Sequence, residues 1–474
     1  NAYMAAQMAG TKPLQDKLYA EIKGRIKEDD QSVPSPDGPY VYSTAYVTGG
    51  QYPLFKRTLK AGGPEELLFD CNALAAGKAY FSLGGMARSP DHRLAAWSQD
   101  DKGSEFYEMR IRDLATGQDH ADVLLNTAGG ACWSADGKHI FYTLQDESHR
   151  PLKTFRHALG TAQADDVLIF EEKDEGMFTG IGSTQSDRFI ILSVHDHDTS
   201  ELWIIPANDP TAAPKLVAPR VKGIEYDLEH WGDRFILKTN RGDAEDYKIA
   251  WAPVADPRPE TWTDLVPHRP GCFLVAVLVF KNWLVRMERE NALPRIVVRN
   301  METGEEHAIA FDEEAYSLGF GEMREYDTDI LRFTYSSMTT PSQVFDYNMR
   351  DRSRVLRKTQ EVPSGHNPAD YVTRRVLAPA ADGETVPVSI LYRRGTPLDG
   401  SAPLFLYGYG SYGISIPASF SVSRLSLVDR GFVFAIAHIR GGKDKGYRWY
   451  TGGKKETKLN TFTDFIAAGE FLAR

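Results

Sequence analysis

Two glycine-rich segments near the end of the 474-residue chain carry the side chains best placed for chemistry. The first, Tyr407-Gly-Tyr-Gly-Ser-Tyr-Gly413, follows directly on the short apolar run Leu404–Tyr407. In open α/β sheets ligands bind beyond the carboxyl ends of strands, so a loop at that place can reach a substrate. Its glycines let the backbone turn sharply and come close to a ligand, and its tyrosines supply hydroxyl donors on stiff arms. A phosphate cradle would need G-x-x-x-x-G-K-[ST], or G-x-G-x-x-G at a strand–helix junction, and neither is present. A glycine turn of purely structural purpose is the competing reading. The second segment, Arg440-Gly-Gly-Lys-Asp-Lys-Gly446, follows the run Phe432–Ala437 in the same way. Its basic residues suit a phosphate, or equally a loop crossing the sheet edge. A third cluster, His195-Asp-His-Asp198, has metal-ligand residue types, but it falls at a strand–strand turn with no further ligand at metal spacing. It reads as a solvated polar turn.

The elements that must position these loops fall into two kinds. Val386–Tyr392 alternates apolar and polar residues, whereas Leu404–Tyr407 and Phe432–Ala437 are continuous apolar runs of the kind buried on both faces of a parallel sheet. A helix is expected from Thr461-Phe-Thr-Asp464, a capping-box-like start, with Phe462, Phe465, Ile466, Gly469 and Leu472 on one face. Near the other end, Leu14, Leu18, Ile22 and Ile26 at four-residue steps predict an amphipathic helix to about Lys27. Between these flanks the chain repeats. Six segments pair a polar turn with a short apolar strand, and aligning Leu94, Ile140, Phe189, Phe235, Trp283 and Ile330 gives steps of 46 to 49 residues. That period fits four short strands with their turns, one propeller blade. Tyr40–Val47 and Pro53–Arg57 lie one period earlier and supply a seventh. The organisation expected is a helical segment at 1–34, a seven-bladed β-propeller at 35–364 and the first part of an α/β-hydrolase domain at 365–474.

Composition excludes several classes of function. The net charge of −10, with no basic run longer than Lys454-Lys455, argues against nucleic acid as a partner, because phosphate neutralisation needs clustered cations. The strongest apolar stretch, Cys272–Phe280, is about half of what spans a bilayer, so no membrane partner is expected. Three widely spaced cysteines, Cys71, Cys132 and Cys272, offer neither a disulfide framework nor a zinc pattern. A cytoplasmic location fits them, and a cysteine-poor periplasmic protein would look the same. No cofactor and no metal are expected.

The tail motifs resemble those of the prolyl oligopeptidase family of serine peptidases, and more closely its oligopeptidase B branch. The residues that carry the likeness are Tyr407–Gly413, Phe420–Leu427, Asp429–Val433, His438-Ile-Arg-Gly-Gly442 and Asn460–Asp464, with Tyr335–Pro341 and Phe81–Met86 upstream. Gly410-Ser-Tyr412 is the feature that favours this branch. The resemblance implies a propeller capping an α/β-hydrolase domain, hydrolysis of short peptides after Arg or Lys, and a monomer or weak dimer. It implies a Ser–His–Asp triad and places Tyr409 as the tyrosine that donates its hydroxyl to the oxyanion. No G-x-S-x-G occurs in these residues, and the family's nucleophile, Asp, His and acidic specificity residues would lie beyond Arg474. The chain is therefore expected to be a fragment, shortened at both ends and inactive as it stands. Lys443-Asp444 also departs from the Gly-Glu usual among relatives. The alternatives are a non-catalytic propeller that binds a partner, or another propeller–hydrolase peptidase of prolyl, dipeptidyl or acylaminoacyl type.

Overall fold

The computed structural model describes all 474 residues. Six of the aligned apolar positions begin, or lie within one residue of beginning, the second strand of a four-stranded antiparallel unit: Leu94–Asp100, His139–Gln145, Phe189–His195, Arg234–Thr239, Trp283–Glu290 and Ile330–Ser337. Tyr40–Ala45 is the corresponding strand of the first unit. These second strands are the best-buried elements of the ring, with Ile140, Phe141, Phe235, Leu237, Leu284 and Val285 fully enclosed. They lie inside their sheets and are covered on both faces by neighbouring units, which is why each appears in the sequence as a compact apolar run after a polar turn. The outermost strands carry charge instead: Arg354–Thr359 exposes most of its length and presents Arg354, Arg357 and Lys358 at the sheet edge.

Units 2 and 3 share one continuous strand, Asp119–Trp133. Its first half pairs outward with Tyr107–Arg112 and its second half with Ile140–Leu144, the register breaking between Thr127 and Ala131. Counted by blade, the ring therefore has seven four-stranded units, the last ending at Thr359. Blade 1 is built wholly from 35–70 and blade 7 wholly from 316–359, so no strand stitches the ring shut. Side chains close it. The Arg332 guanidinium donates to the carbonyls of Val33 (3.4 Å) and Pro34 (2.8 Å), and Ser35 Oγ donates to the Glu322 carbonyl at 3.0 Å.

The second layer is a mixed sheet ordered Tyr371–Pro379, Thr385–Arg393, Val433–Ala437, Leu404–Tyr407. Only the last pair is parallel. Val433–Ala437 is enclosed, as its apolar run demands. Leu404–Tyr407 is the edge strand, and Phe405 and Tyr407 on one of its faces are exposed, so the expected burial on both faces is not met there. The fold is a seven-bladed β-propeller joined to part of an α/β-hydrolase domain.

The N-terminal flank contains a short helix, Ala2–Met8, then Lys12–Gly24. The second helix stops three residues short of the expected end. None of its side chains is fully buried, because the short helix Val422–Val428 covers only part of its apolar stripe. Polar bonds fasten it there: Arg25 donates to Ser426 Oγ (2.5 Å) and pairs with Asp429 (3.2 Å), and Glu21 pairs with Arg430 (2.7 Å). The hydrolase layer meets the propeller through hairpins of blades 4 to 7. Asp246 accepts from the Tyr447 N–H, the Ala292 N–H donates to the Asp444 carbonyl, and the Phe420 N–H donates to Ser336 Oγ. His197, expected in a solvated turn, instead hydrogen-bonds the Tyr450 hydroxyl at 2.9 Å across this junction.

Candidate active site

The parallel strands Leu404–Tyr407 and Val433–Ala437 deliver both glycine loops to one end of the sheet, where they lie back to back. Gly413 N–H donates to the Gly441 carbonyl at 2.8 Å. A Cβ on Gly441, whose φ is +99°, would stand 2.0 Å from the Gly410 carbonyl oxygen. No side chain fits between two backbones that close, so the glycines are a packing requirement as much as a turn requirement.

The C-terminal helix locks the pair. It begins at Leu459, two residues before the expected start, with Lys458 as its N-cap and no side-chain cap. Thr461 and Asp464 therefore do not cap. Both point inward: Thr461 Oγ1 donates to the Arg440 carbonyl (2.8 Å), and the fully enclosed Asp464 carboxylate accepts from Arg440 N (3.0 Å), Nε (2.9 Å) and Nη2 (2.5 Å). Asp382 takes the remaining end of the guanidinium at 2.6 Å. These two carboxylates hold Arg440 firmly charged. The guanidinium is thus committed to Asp464 and Asp382, which favours a structural role for Arg440 over a phosphate site. The helix face differs accordingly. Phe465 and Leu472 pack inward, whereas Phe462 and Ile466 are 58% and 57% exposed.

Tyr409 stands on this platform, 42% exposed. Beside it the Lys458 ammonium donates to Ser411 Oγ at 2.8 Å and to the Gly410 carbonyl. Tyr412, with φ at +56°, lies edge-on to His197 of blade 4. The loop thus presents two tyrosines from a backbone fixed on three sides.

One further constellation has no sequence signal. Ser389 Oγ lies 2.8 Å from His438 Nε2, and Asp444 Oδ1 lies 3.3 Å from His438 Nδ1, too oblique to hydrogen-bond. The residue types are those of a hydrolytic triad, but the three are 2%, 4% and 3% exposed. Ser389 also sits in the middle of the strand Thr385–Arg393, whose backbone is paired on both sides. A substrate carbonyl cannot reach it, and no free N–H stands ready for an oxyanion. The trio ties the second glycine loop to the sheet.

A seven-bladed propeller set over a hydrolase sheet, with a tyrosine-bearing glycine loop at the carboxyl end of a strand, defines a propeller joined to an α/β-hydrolase domain. The comparisons with known proteins agree. Residues 1–360 match the prolyl oligopeptidase N-terminal β-propeller domain, and residues 418–474 match the prolyl oligopeptidase family. The chain belongs to the prolyl oligopeptidase family. It is 40% identical to Dipeptidyl aminopeptidase BI of Pseudoxanthomonas mexicana, over all of this chain and 68% of that protein. It is 33% identical to Protease 2 of Moraxella lacunata, over 97% of this chain and 68% of that one. Oligopeptidase B from Leishmania major superposes with a TM-score of 0.94 at 33% identity, covering 99% of this chain and 68% of that structure. Oligopeptidase B from Trypanosoma brucei, in a closed form with covalently bound antipain, gives 0.92 at 33% identity, over 99% and 68%.

Proposed function

We propose that the chain forms the propeller and the oxyanion-donating loop of a serine peptidase that cleaves short peptides. The observation that carries this reading is the position of Tyr409: half-exposed, at the carboxyl end of a strand, on a loop held by Gly441, Thr461 and Lys458. In the reaction a serine attacks the scissile carbonyl, a histidine takes and returns the proton, and an aspartate orients the histidine. Tyr409 O–H donates to the carbonyl oxygen as negative charge builds on it. A donor fixed before the reaction lowers the barrier because nothing has to reorganise. No G-x-S-x-G occurs among these 474 residues, and Tyr409 is the part of this machinery that they supply.

Cleavage after Arg or Lys is the finer reading, supported by the likeness to Protease 2 and to the oligopeptidase B structures. A second reading is removal of dipeptides from the amino end, which the 40% identity to Dipeptidyl aminopeptidase BI supports. We place the protein in the cytoplasm, acting as a monomer or weak dimer. Rates of the full-length enzyme on Arg-, Lys- and Pro-terminated reporters, each with a blocked and a free dipeptide amino end, separate the readings. Tyr409→Phe in that enzyme is expected to lower kcat on the order of 10²-fold with little change in melting temperature. Unchanged turnover removes Tyr409 from the reaction.

A further inference from the structure

Most arginines in and beside blade 6 are paired with carboxylates. Arg286 pairs with Glu288 (2.7 Å) and Glu306 (2.8 Å), Arg295 pairs with Glu288, and Arg269 pairs with Glu290 (3.0 Å). Arg289 has no carboxylate partner. Its one hydrogen bond runs from Nη1 to Ser415 Oγ at 3.2 Å, on the loop that carries Tyr409. Directly across the strand pair from Arg289 is Phe273, and over the Phe273 ring, 5.0 Å from its centre, lies the ammonium of Lys443. The rings of Tyr447 and Tyr450 stand 5.4 Å and 5.6 Å from the same ammonium, which also makes no ion pair. The Lys443 stem runs along Gly413, where an added Cβ would come within 2.7 Å of Cε. Two cations therefore flank one phenylalanine at the junction between propeller and hydrolase layer, and both border the Tyr409 loop.

The carboxylates nearest this corner make their direct contacts elsewhere. Glu225 accepts the Tyr247 hydroxyl at 2.6 Å, and Asp444 lies against His438. Lys454, over the Tyr450 ring at 4.7 Å, adds a further unpaired cation. Burial works against the charge of both Arg289 and Lys443; Asp444 offsets part of this for Arg289 and Glu225 for Lys443, while Lys238, Lys454 and Arg289 add repulsion on Lys443. Partly desolvated cations with no carboxylate in direct contact are costly, and an incoming anion recovers part of that cost through charge-assisted hydrogen bonds.

We propose that Arg289 and Lys443 form a subsite for a carboxylate of the peptide substrate, either its terminal carboxylate or an Asp or Glu side chain. The proposal rests on the peptidase reading for its purpose, and it adds a second determinant of specificity. A basic substrate side chain is repelled from this corner, so any Arg or Lys preference is exercised elsewhere.

The test uses three fluorescent tetrapeptides of otherwise identical sequence: one with a free carboxyl terminus, one with a carboxamide, and one with a carboxamide and a Glu side chain. Binding to the protein is read by anisotropy at low salt. At least one carboxylate peptide is expected to bind about ten-fold tighter than the neutral one, and which one does so identifies the source of the carboxylate. In Arg289→Gln and in Lys443→Met the ratio falls towards one, and Arg289→Lys restores part of it. Lys443→Met keeps the aliphatic stem against the three rings, so it remains folded even where the Arg289 variant does not. Equal binding of all three peptides, binding of none, or a ratio unchanged in both variants overturns the proposal. Turnover of the same peptides by the full-length enzyme is scored separately. Preferential binding without hydrolysis sinks the peptidase reading and leaves the subsite standing.

Discussion

Replacing Asp464 by asparagine removes one negative charge and leaves the shape almost unchanged, which isolates what that charge does for the site. The carboxylate is fully enclosed and accepts three N–H groups of Arg440, which is itself buried. Asparagine offers one acceptor oxygen in place of two, and turns an NH₂ group towards the guanidinium. The arginine then keeps only Asp382, which is half-exposed and screened by solvent. Breaking a buried pair by removing one partner typically costs about 3–5 kcal/mol, because the remaining charge stays buried without compensation. Asp382→Asn, at the exposed end of the same arginine, is expected to cost at most about 1 kcal/mol. The assay is urea unfolding followed at the hydrolase layer, where the enclosed Trp449 donates to the His438 carbonyl at 3.0 Å and lies beside the Arg440 guanidinium. The double variant Arg440→Met, Asp464→Leu is expected to recover most of the loss, since apolar replacement of a whole buried pair is often neutral. In the full-length enzyme Asp464→Asn also lowers turnover, because the Arg440–Asp464 bonds set how the two glycine loops lie against each other. A loss below about 1 kcal/mol for Asp464→Asn, or a double variant as weak as the single one, refutes the reasoning.

Two other substitutions test separate parts of the molecule. Gly441→Ala forces a side chain into left-handed backbone, which costs about 1–2 kcal/mol, and drives its Cβ into the Gly410 carbonyl; a protein melting within a degree of wild type, with unchanged turnover, would show that the loops do not interlock. Glu229, on the innermost strand of blade 5, has its carboxyl pushed up to about 7, first by burial and then by Asp187 and Asp227, against the N–H groups of Gln185 and His230. The folded protein thus holds a proton that the unfolded chain releases near pH 4.5, so this group's effect on stability worsens as pH rises from about 4.5 to 7. The loss reaches at most about 3 kcal/mol. Glu229→Gln keeps an acceptor for Gln185 N–H, 2.8 Å from the carboxylate, and is expected to flatten this slope and raise the melting temperature at pH 8. A pH profile of melting identical to wild type removes Glu229 as its cause.

How much of this was legible depended on whether the deciding partner was local. The blade repeat could be read because the second strand of each blade is enclosed on both faces and follows a polar turn, so burial and turn chemistry repeat together every 46 to 49 residues. The half-exposed edge strand Leu404–Tyr407 looked the same as an enclosed one, since four apolar residues do not report how many faces are covered. Thr461-Phe-Thr-Asp464 shows the limit most clearly. Thr followed three residues later by Asp satisfies a helix-start pattern, and a helix does begin nearby, but the side chains serve a different purpose. What turns them inward is Arg440, 24 residues upstream of Asp464 and brought over by the sheet. His197 was misread for the same reason, because its partner Tyr450 is 253 residues away. These two errors lie at contacts between the glycine-loop region and what holds it. The site residues that a sequence can name, Tyr409 among them, are those whose role is set by their own loop. Those that fix the loop in place, Arg440, Asp464 and Thr461, are polar residues whose burial is affordable only once both partners have met.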